Sequence, residues 1–203
     1  MDVATLDAAL DAAWTQLSEG VRNRRHGFHT PTLATLAPDG QPQARVMVLR
    51  RAEPARRVAL FHCDVRSPKA SEVRADPRAA LLFYDFKNKT QVRATARAEV
   101  LTDDPDVEAA WERTRLQSRR CYLAPHPPTA DTGDADEPPP PNLPEHLIHR
   151  DPTEEESEAG RANFAVIRCH LKTLDWLYLE HTGHRRARFE WNGERWLGRW
   201  VEP

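Results

Sequence analysis

The 203-residue chain has little that would commit it to a special environment. It holds three cysteines, Cys63, Cys121 and Cys169, an odd number without Cys-x-x-Cys spacing, which argues against a disulfide framework and a thiol-rich metal site. Neither sign of charge dominates: 29 lysines and arginines face 31 acidic residues, and the net charge of -2 offers no global attraction to nucleic acid or an anionic membrane. No uncharged apolar run approaches membrane-spanning length, and Asp2 and Asp7 stand where a signal peptide would carry positive charge. The expectation is a soluble, cytoplasmic protein with reduced thiols, built as one domain over residues 1–203.

What is present starts with a helical stripe. Val3, Leu6, Leu10, Trp14, Leu17 and Val21 recur at three- and four-residue steps, which predicts an amphipathic N-terminal helix within residues 1–21, ended by Gly20. The basic cluster Arg22, Arg24, Arg25 and His26 reads as a solvated helix end at the negative pole of the dipole. Residues 30–37 are β-compatible, Pro38-Asp39-Gly40 supplies a turn, and Pro42 leads into a strand over 45–50. A second apolar strand, 57–62, returns beside it. Ser67 as N-cap and Pro68 at the first helical position then open a helix that Asp76-Pro77 stops.

The stretch from Arg45 to Lys69 therefore reads as a phosphate clamp on a β-hairpin. Free N–H groups and the positive end of the helix dipole favour an anion, and Arg45 and Lys69 add charge-assisted hydrogen bonds.

Further along, the apolar run 79–84 is short enough for a strand buried on both faces. Residues 91–101 alternate strictly, with Val92, Ala94, Ala96, Ala98 and Val100 on one side, predicting one core face and one wet face. Asp104-Pro105 opens a helix carrying Val107, Ala110, Trp111, Arg115 and Arg119 toward Tyr122. Residues 125–160, rich in proline and acid, have too few large apolar side chains to offset their ordering entropy and read as a long loop. Strands at 163–170, 174–180, 185–191 and 195–200 follow, the last pair joined by an Asn192-Gly193 turn. About seven or eight antiparallel strands without βα alternation give a mainly β (α+β) fold, a Greek-key-like split β-barrel with an N-terminal helix and two further helices.

Other groupings have plain readings. His181 and His184 beside Glu180 do not share a helical face, so no metal is expected. Cys63 is a small packing residue. Trp191, Trp196 and Trp200, interleaved with Arg195 and Arg199, are read as core, and no nucleic-acid partner is expected.

In order and spacing, Arg45-Val46-Met47-Val48-Leu49-Arg50, Phe61-His62, Ser67-Pro68-Lys69-Ala70, Asp76-Pro77, Leu81-Leu82-Phe83 and Gln91-Val92 resemble the pyridoxamine 5'-phosphate oxidase family of FMN-binding split barrels. Leu174-Asp175-Trp176, His184 to Phe189, Trp196 and Pro203 resemble its C-terminal region, so the likeness covers nearly the whole chain. The details are nearest to an oxidase-like subgroup with a Pro-rich loop. The resemblance implies that FMN is bound, with Arg45, Ser67 and Lys69 around its phosphate, the backbone of Val46, Met47, Val48 and Leu49 along the ring, and Gln91 on its polar edge. Arg50, Phe61 and His62 border the same site, and Gln117 and Ser118 correspond to a flavin-contacting pair. Tyr178 takes the place of a flavin-contacting tryptophan and Arg188 that of the closing arginine. Arg50, Trp111, Arg115, His184 and Arg186 fall at substrate positions, the last two in the opposite order to the family's arginine and histidine. Pro68 stands where the family usually has arginine, with Arg66 as the neighbouring cation.

Bound flavin carries hydride chemistry itself, so no catalytic side chain is singled out. Three readings follow: an FMN-dependent oxidoreductase on a small molecule, a protein that holds FMN or another phosphorylated ligand without catalysis, and an interaction protein that has lost flavin. Family membership implies a homodimer with FMN at the interface.

Overall fold

The computed structural model describes residues 3–131 and 138–203. Helix α1 runs Leu6–Arg22, and its N-cap Thr5 accepts a hydrogen bond from the Ala8 N–H at 3.1 Å. The apolar stripe buries Ala9, Ala13, Trp14 and Leu17, but Gly20 does not end the helix. It serves packing instead. A Cβ at residue 20 would stand 2.7 Å from the Phe28 carbonyl carbon, so the absence of a side chain lets the turn at Gly27–His29 fold back on α1.

Among the described residues nine strands and four further α-helices follow: β1 Thr32–Leu36, β2 Pro42–Val46, β3 Leu49–Glu53, β4 Val58–Asp64, α2 Pro68–Ala75, β5 Arg78–Asp85, β6 Thr90–Leu101, α3 Pro105–Arg113, α4 Leu116–Arg119, α5 Glu154–Glu158, β7 Phe164–Tyr178, β8 Arg185–Trp191 and β9 Trp196–Val201. They form one antiparallel sheet of order β2-β1-β5-β6-β7-β4-β3, with β8 on β7 and β9 on β8. The α+β split barrel expected from the sequence is thus present. Its inner faces meet in a core that includes Leu33, Leu81, Phe83, Ala94, Leu174, Trp176 and Phe189. A second cluster, with Leu60, Val107, Trp111 and Phe164, packs α3 on β4 and β7. No helix among the described residues is long and apolar enough to cross a membrane.

Several boundaries differ from the sequence reading. The expected single strand 45–50 is two: β2 pairs with β1, β3 pairs with β4, and Met47 and Val48 lie between the ladders. Conversely, the strands expected at 163–170 and 174–180 are one. The first half of β7 pairs with β4 and the second with β8, while β6 lies along both halves with a bulge between Thr95 and Ala96. The run 79–84 is not buried on both faces, because β5 alternates and leaves Leu82 and Tyr84 exposed.

The helix expected from Asp104 toward Tyr122 breaks at Thr114. The Arg119 guanidinium folds back to donate to the carbonyls of Trp111 at 2.9 Å and Thr114 at 3.1 Å, satisfying acceptors that another helical turn would have used. Within the stretch read as a loop, α5 forms on a Thr153/Glu156 capping box, and Leu147 is buried; residues 132–137 of that stretch lie outside the described residues. None of the three tryptophans read as core is buried: Trp200 is exposed, and half-buried Trp191 and Trp196 meet edge to face at 5.7 Å, Trp196 against the core and Trp191 under the Arg57 guanidinium.

Replacing a mid-helix glycine by alanine ordinarily stabilises by about 0.5–1 kcal/mol. Gly20→Ala is expected to do the reverse, lowering stability by about 1–3 kcal/mol through overpacking against Phe28, as read by thermal or urea denaturation. An unchanged or raised midpoint would show that the Phe28 turn yields easily.

Candidate functional site

The connection Met47–Val48 joins the two ends of the sheet path, and a cleft of about 340 Å³ opens there. Val46, Met47, Val48, Arg50, His62 and Lys69 line it, so several residues expected beside a flavin share this seam, while Arg45 and Ser67 of the expected phosphate clamp do not line it. Met47 and Leu49 bury their side chains, which leaves their backbone for any ligand, while Val46 is 65% exposed. The Met47 N–H donates to Pro31 O at 2.9 Å. Lys69, on the first turn of α2, has no hydrogen-bond or ion-pair partner among the described residues. Cys63, Cys121, Tyr122, Pro128 and Asp64, whose carboxylate is paired with Arg66, complete the wall; burial pushes the Cys63 thiol up to about 12, so it stays an inert packing group.

A second cleft of about 220 Å³ shares Arg50 and His62 with the first. It is strongly cationic, with Arg24, Arg50, Arg51, Arg113 and Arg115 around one carboxylate, Asp106, and Ser118 on its edge. Arg51 is held by Asp106 at 2.7 Å. Arg24 belongs to the basic cluster read as a solvated helix end rather than an anion site, and Arg51 and Arg113 were not foreseen at a site: nothing in their spacing distinguishes a solvated cation from one brought to a cleft by folding.

A third group lies on the outer face of the sheet. Gln91, Leu177 and Arg186 share one cross-strand row, and Arg93, Asp175 and Arg188 share the next. Tyr178 has the opposite parity: it stacks 6.2 Å from buried Trp176 and packs on the core, so it does not join Arg188. His184 is exposed at another edge, beside Val3 and Trp200.

Several expected ligands are already engaged. Arg45 donates to Thr35 Oγ1 and, at 2.7 Å, to Glu72 Oε2. Ser67 occupies the N-cap position of α2 but makes no cap; its buried hydroxyl donates to Asp64 O at 2.6 Å. Arg66 does not replace the cation missing at Pro68, because Asp64 at 2.7 Å and the Ala124 carbonyl at 3.0 Å hold it. Phe61 is wholly in the core. Trp111 is buried, its indole N–H donating to Glu158 at 3.0 Å with the Arg119 guanidinium 4.4 Å over its ring, so it presents nothing to the cleft. Gln117 is exposed outside both clefts, whereas Arg115 and Ser118 line the cationic one.

A split barrel with its seam open between cationic and apolar walls defines a class of small-ligand proteins, and comparison with known proteins places the chain within it. The model for the pyridoxamine 5'-phosphate oxidase family matches residues 17–155, and the chain belongs to that family. The pyridoxine/pyridoxamine 5'-phosphate oxidase of Cupriavidus necator is 41% identical over 88 residues, 43% of this chain and 40% of that enzyme, so the chain spans well under half of this relative's length in the match. Among solved structures, a pyridoxamine 5'-phosphate oxidase-related, FMN-binding protein of Nostoc punctiforme superposes with a TM-score of 0.71 at 21% identity, covering 95% of this chain and 96% of its own. PhzG of Burkholderia lata, in complex with tetrahydrophenazine-1-carboxylic acid, superposes with a TM-score of 0.65 at 17% identity, covering 100% and 95%. At these identities the structural likeness establishes the shared fold.

His62, common to both clefts, packs edge to face on Phe164 at 4.9 Å. Burial, reinforced by the Arg50 charge, lowers its pKa to about 4. The unfolded chain therefore takes up this proton first as pH falls, and stability drops between about pH 6.5 and 4, by roughly 3 kcal/mol in full. His62→Gln is expected to flatten that part of the stability curve, measured as denaturation midpoints from pH 8 to 4; an unaltered slope would assign the acid lability elsewhere.

Proposed function

We propose that the chain is an FMN-binding flavoprotein, a cytoplasmic oxidoreductase acting on a small molecule as a homodimer with flavin at the subunit interface. The convergence of Val46, Met47, Val48, Arg50, His62 and Lys69 on one seam cleft carries this reading. The lining fits FMN at both chemical ends: exposed Val46 and the backbone of Met47 and Val48 suit a planar ring, and the Lys69 ammonium, without a partner among the described residues, suits a phosphate. When bound, FMN supplies two-electron hydride chemistry. The chain's own residues then have distinct tasks. Lys69 would hold the phosphate, while Arg45, engaged by Thr35 and Glu72, does not line the cleft; residues 46–49 would orient the ring; His62, neutral at physiological pH, borders the ring site without adding charge.

Gln91 and Arg188 do not line the seam cleft of their own chain but face outward from β6 and β8. A second copy supplies the simplest way to bring such groups to the ligand. Val46, Leu82, Tyr84 and Phe86, the last 80% exposed, give that face the apolar surface self-association requires. The cationic cleft points to an anionic substrate, with Arg50 and Arg115 among its ligands, and a phosphorylated pyridine of the kind named for the relatives is the first to try.

A second reading, FMN or another phosphorylated ligand held without turnover, is favoured by one feature: Trp111, at an expected substrate position, is sealed against Glu158 and Arg119.

The deciding measurement is an absorption spectrum before and after incubation with FMN and desalting, followed by anaerobic bleaching with pyridoxamine 5'-phosphate or nicotinamide donors. Retained bands that bleach support the oxidoreductase; retained bands that do not bleach support the carrier; a colourless protein removes both flavin readings. Lys69→Ala is expected to weaken FMN binding by about 1.5–3 kcal/mol without unfolding the barrel, and unchanged affinity would take Lys69 out of the site.

A further inference from the structure

We propose that Asp175 is a positioning residue that gathers Arg93, Arg186 and Arg188 from neighbouring strands into one rigid cationic fork, and that this fork, brought to the flavin site by the second copy, shares the anionic part of the flavin-site ligand with Lys69. The ligand named here rests on the FMN reading above; the positioning does not.

The register makes the fork. Arg93 on β6, Asp175 on β7 and Arg188 on β8 are direct cross-strand partners, a single row over three strands, and Arg186 reaches the same carboxylate from the adjacent row. Arg186 is bidentate, Nε to Oδ1 at 2.8 Å and Nη2 to Oδ2 at 2.9 Å. Arg93 Nη2 and Arg188 Nε reach Oδ2 at 2.7 and 2.9 Å. Although Asp175 sits on the outer face, these side chains cover it to 9% exposure. Burial alone would raise its pKa, but the hydrogen bonds from Arg186, Arg93 and Arg188 outweigh that and hold it at about 2, so the anchor stays ionised at any physiological pH.

Three guanidinium groups around one carboxylate leave two positive charges in excess. Arg199 of β9 stands directly opposite Arg188, a like-charge pairing that costs stability, and Glu190 shares the groove, so the excess of two persists when both are counted. A groove of about 490 Å³ runs along this cluster. The Arg93 row continues through Leu82 and Thr32 to Val46, which lines the seam cleft. One line of the sheet thus joins an apolar wall to a dication. Without the central acid, three arginines this close would repel and splay; with it, their N–H groups point in fixed directions.

The test is Asp175→Asn in the full chain, read by thermal denaturation, by the ¹H–¹⁵N resonances of the arginine Nε–H groups, and by fluorescence titration with FMN. The expected result is that the Arg186 and Arg188 signals broaden or move toward those of solvated arginines, and that FMN affinity falls on the order of tenfold although the substitution adds positive charge. Tighter FMN binding would mean that Asp175 only subtracts charge, and unchanged affinity with a lower midpoint would mean that it only stabilises; either overturns the proposal. If Asp175→Asn does not fold, Arg188→Lys, at an exposed position, keeps the charge but loses the fixed Nε–H and carries the same expected loss; full affinity there overturns it too. The resonances need no flavin. A native chain that takes up no FMN removes the flavin reading and the ligand named here, while unmoved resonances in Asp175→Asn overturn the positioning itself.

Discussion

Met47 and Val48 connect β2 with β3, the strands at opposite ends of the sheet path, and this short link forces the sheet to curl until its ends meet. The ends meet without pairing. β2 pairs with β1 and β3 with β4, and the two do not pair with each other, so the link lies outside both ladders and the barrel keeps an open seam there. A stretch of backbone outside both ladders, between a cationic and an apolar wall, is where a flat ligand can lie against protein without displacing a strand. Helix α2 starts nearby and brings Lys69 to the same opening, whereas α1 packs on β3 from the other side. The candidate site is a consequence of how the barrel closes.

Charge is balanced over the chain but sorted in space. Around α3, Arg168 is held by Glu99, Asp104 and Asp106, and Arg51 and Arg56 by Asp106 as well. Burial raises the Asp106 pKa, yet its arginines bring it down to about 2, so the knot is saturated. Lys69, Arg50 and Arg115 have no such partners among the described residues. A net charge of -2 therefore coexists with a locally cationic pair of clefts, and bulk composition says nothing of either.

Much of this was legible in the sequence. Strict alternation located β6 and its faces; the Ser67-Pro68 start and Asp76-Pro77 stop bracketed α2. Most residues that line the seam cleft stood together as a motif because they are close in sequence. What stayed hidden depended on partners far along the chain. The break between β2 and β3 leaves no mark in an unbroken apolar run. The end of α3 is set by Arg119, whose side chain folds back over the last carbonyls, and no local propensity records that. Tyr178 shows the sensitivity of a period of two: one residue of register separates the core face it occupies from the outer face that carries Leu177. Pairing of Arg45 with Glu72 likewise joins residues on different elements, invisible to a motif read along one strand.

That pairing and the Asp175 fork follow the same physics with different outcomes. In each, a nearly buried carboxylate fixes an arginine whose long side chain would otherwise lose entropy only on meeting its ligand. Glu72 holds one arginine, so its charge is cancelled and what remains to a ligand is direction: a guanidinium carries more N–H donors than Thr35 and Glu72 consume. Asp175 holds three and cancels only one, so direction and charge are both left over. Under the proposed function, an anion would find direction without net charge at Arg45, which does not line the seam cleft, the charge of Lys69, which has no partner among the described residues, and on the outer face a preset dication. Attraction that must act at a distance has to come from the latter two, since a neutral pair projects little field beyond its own contact.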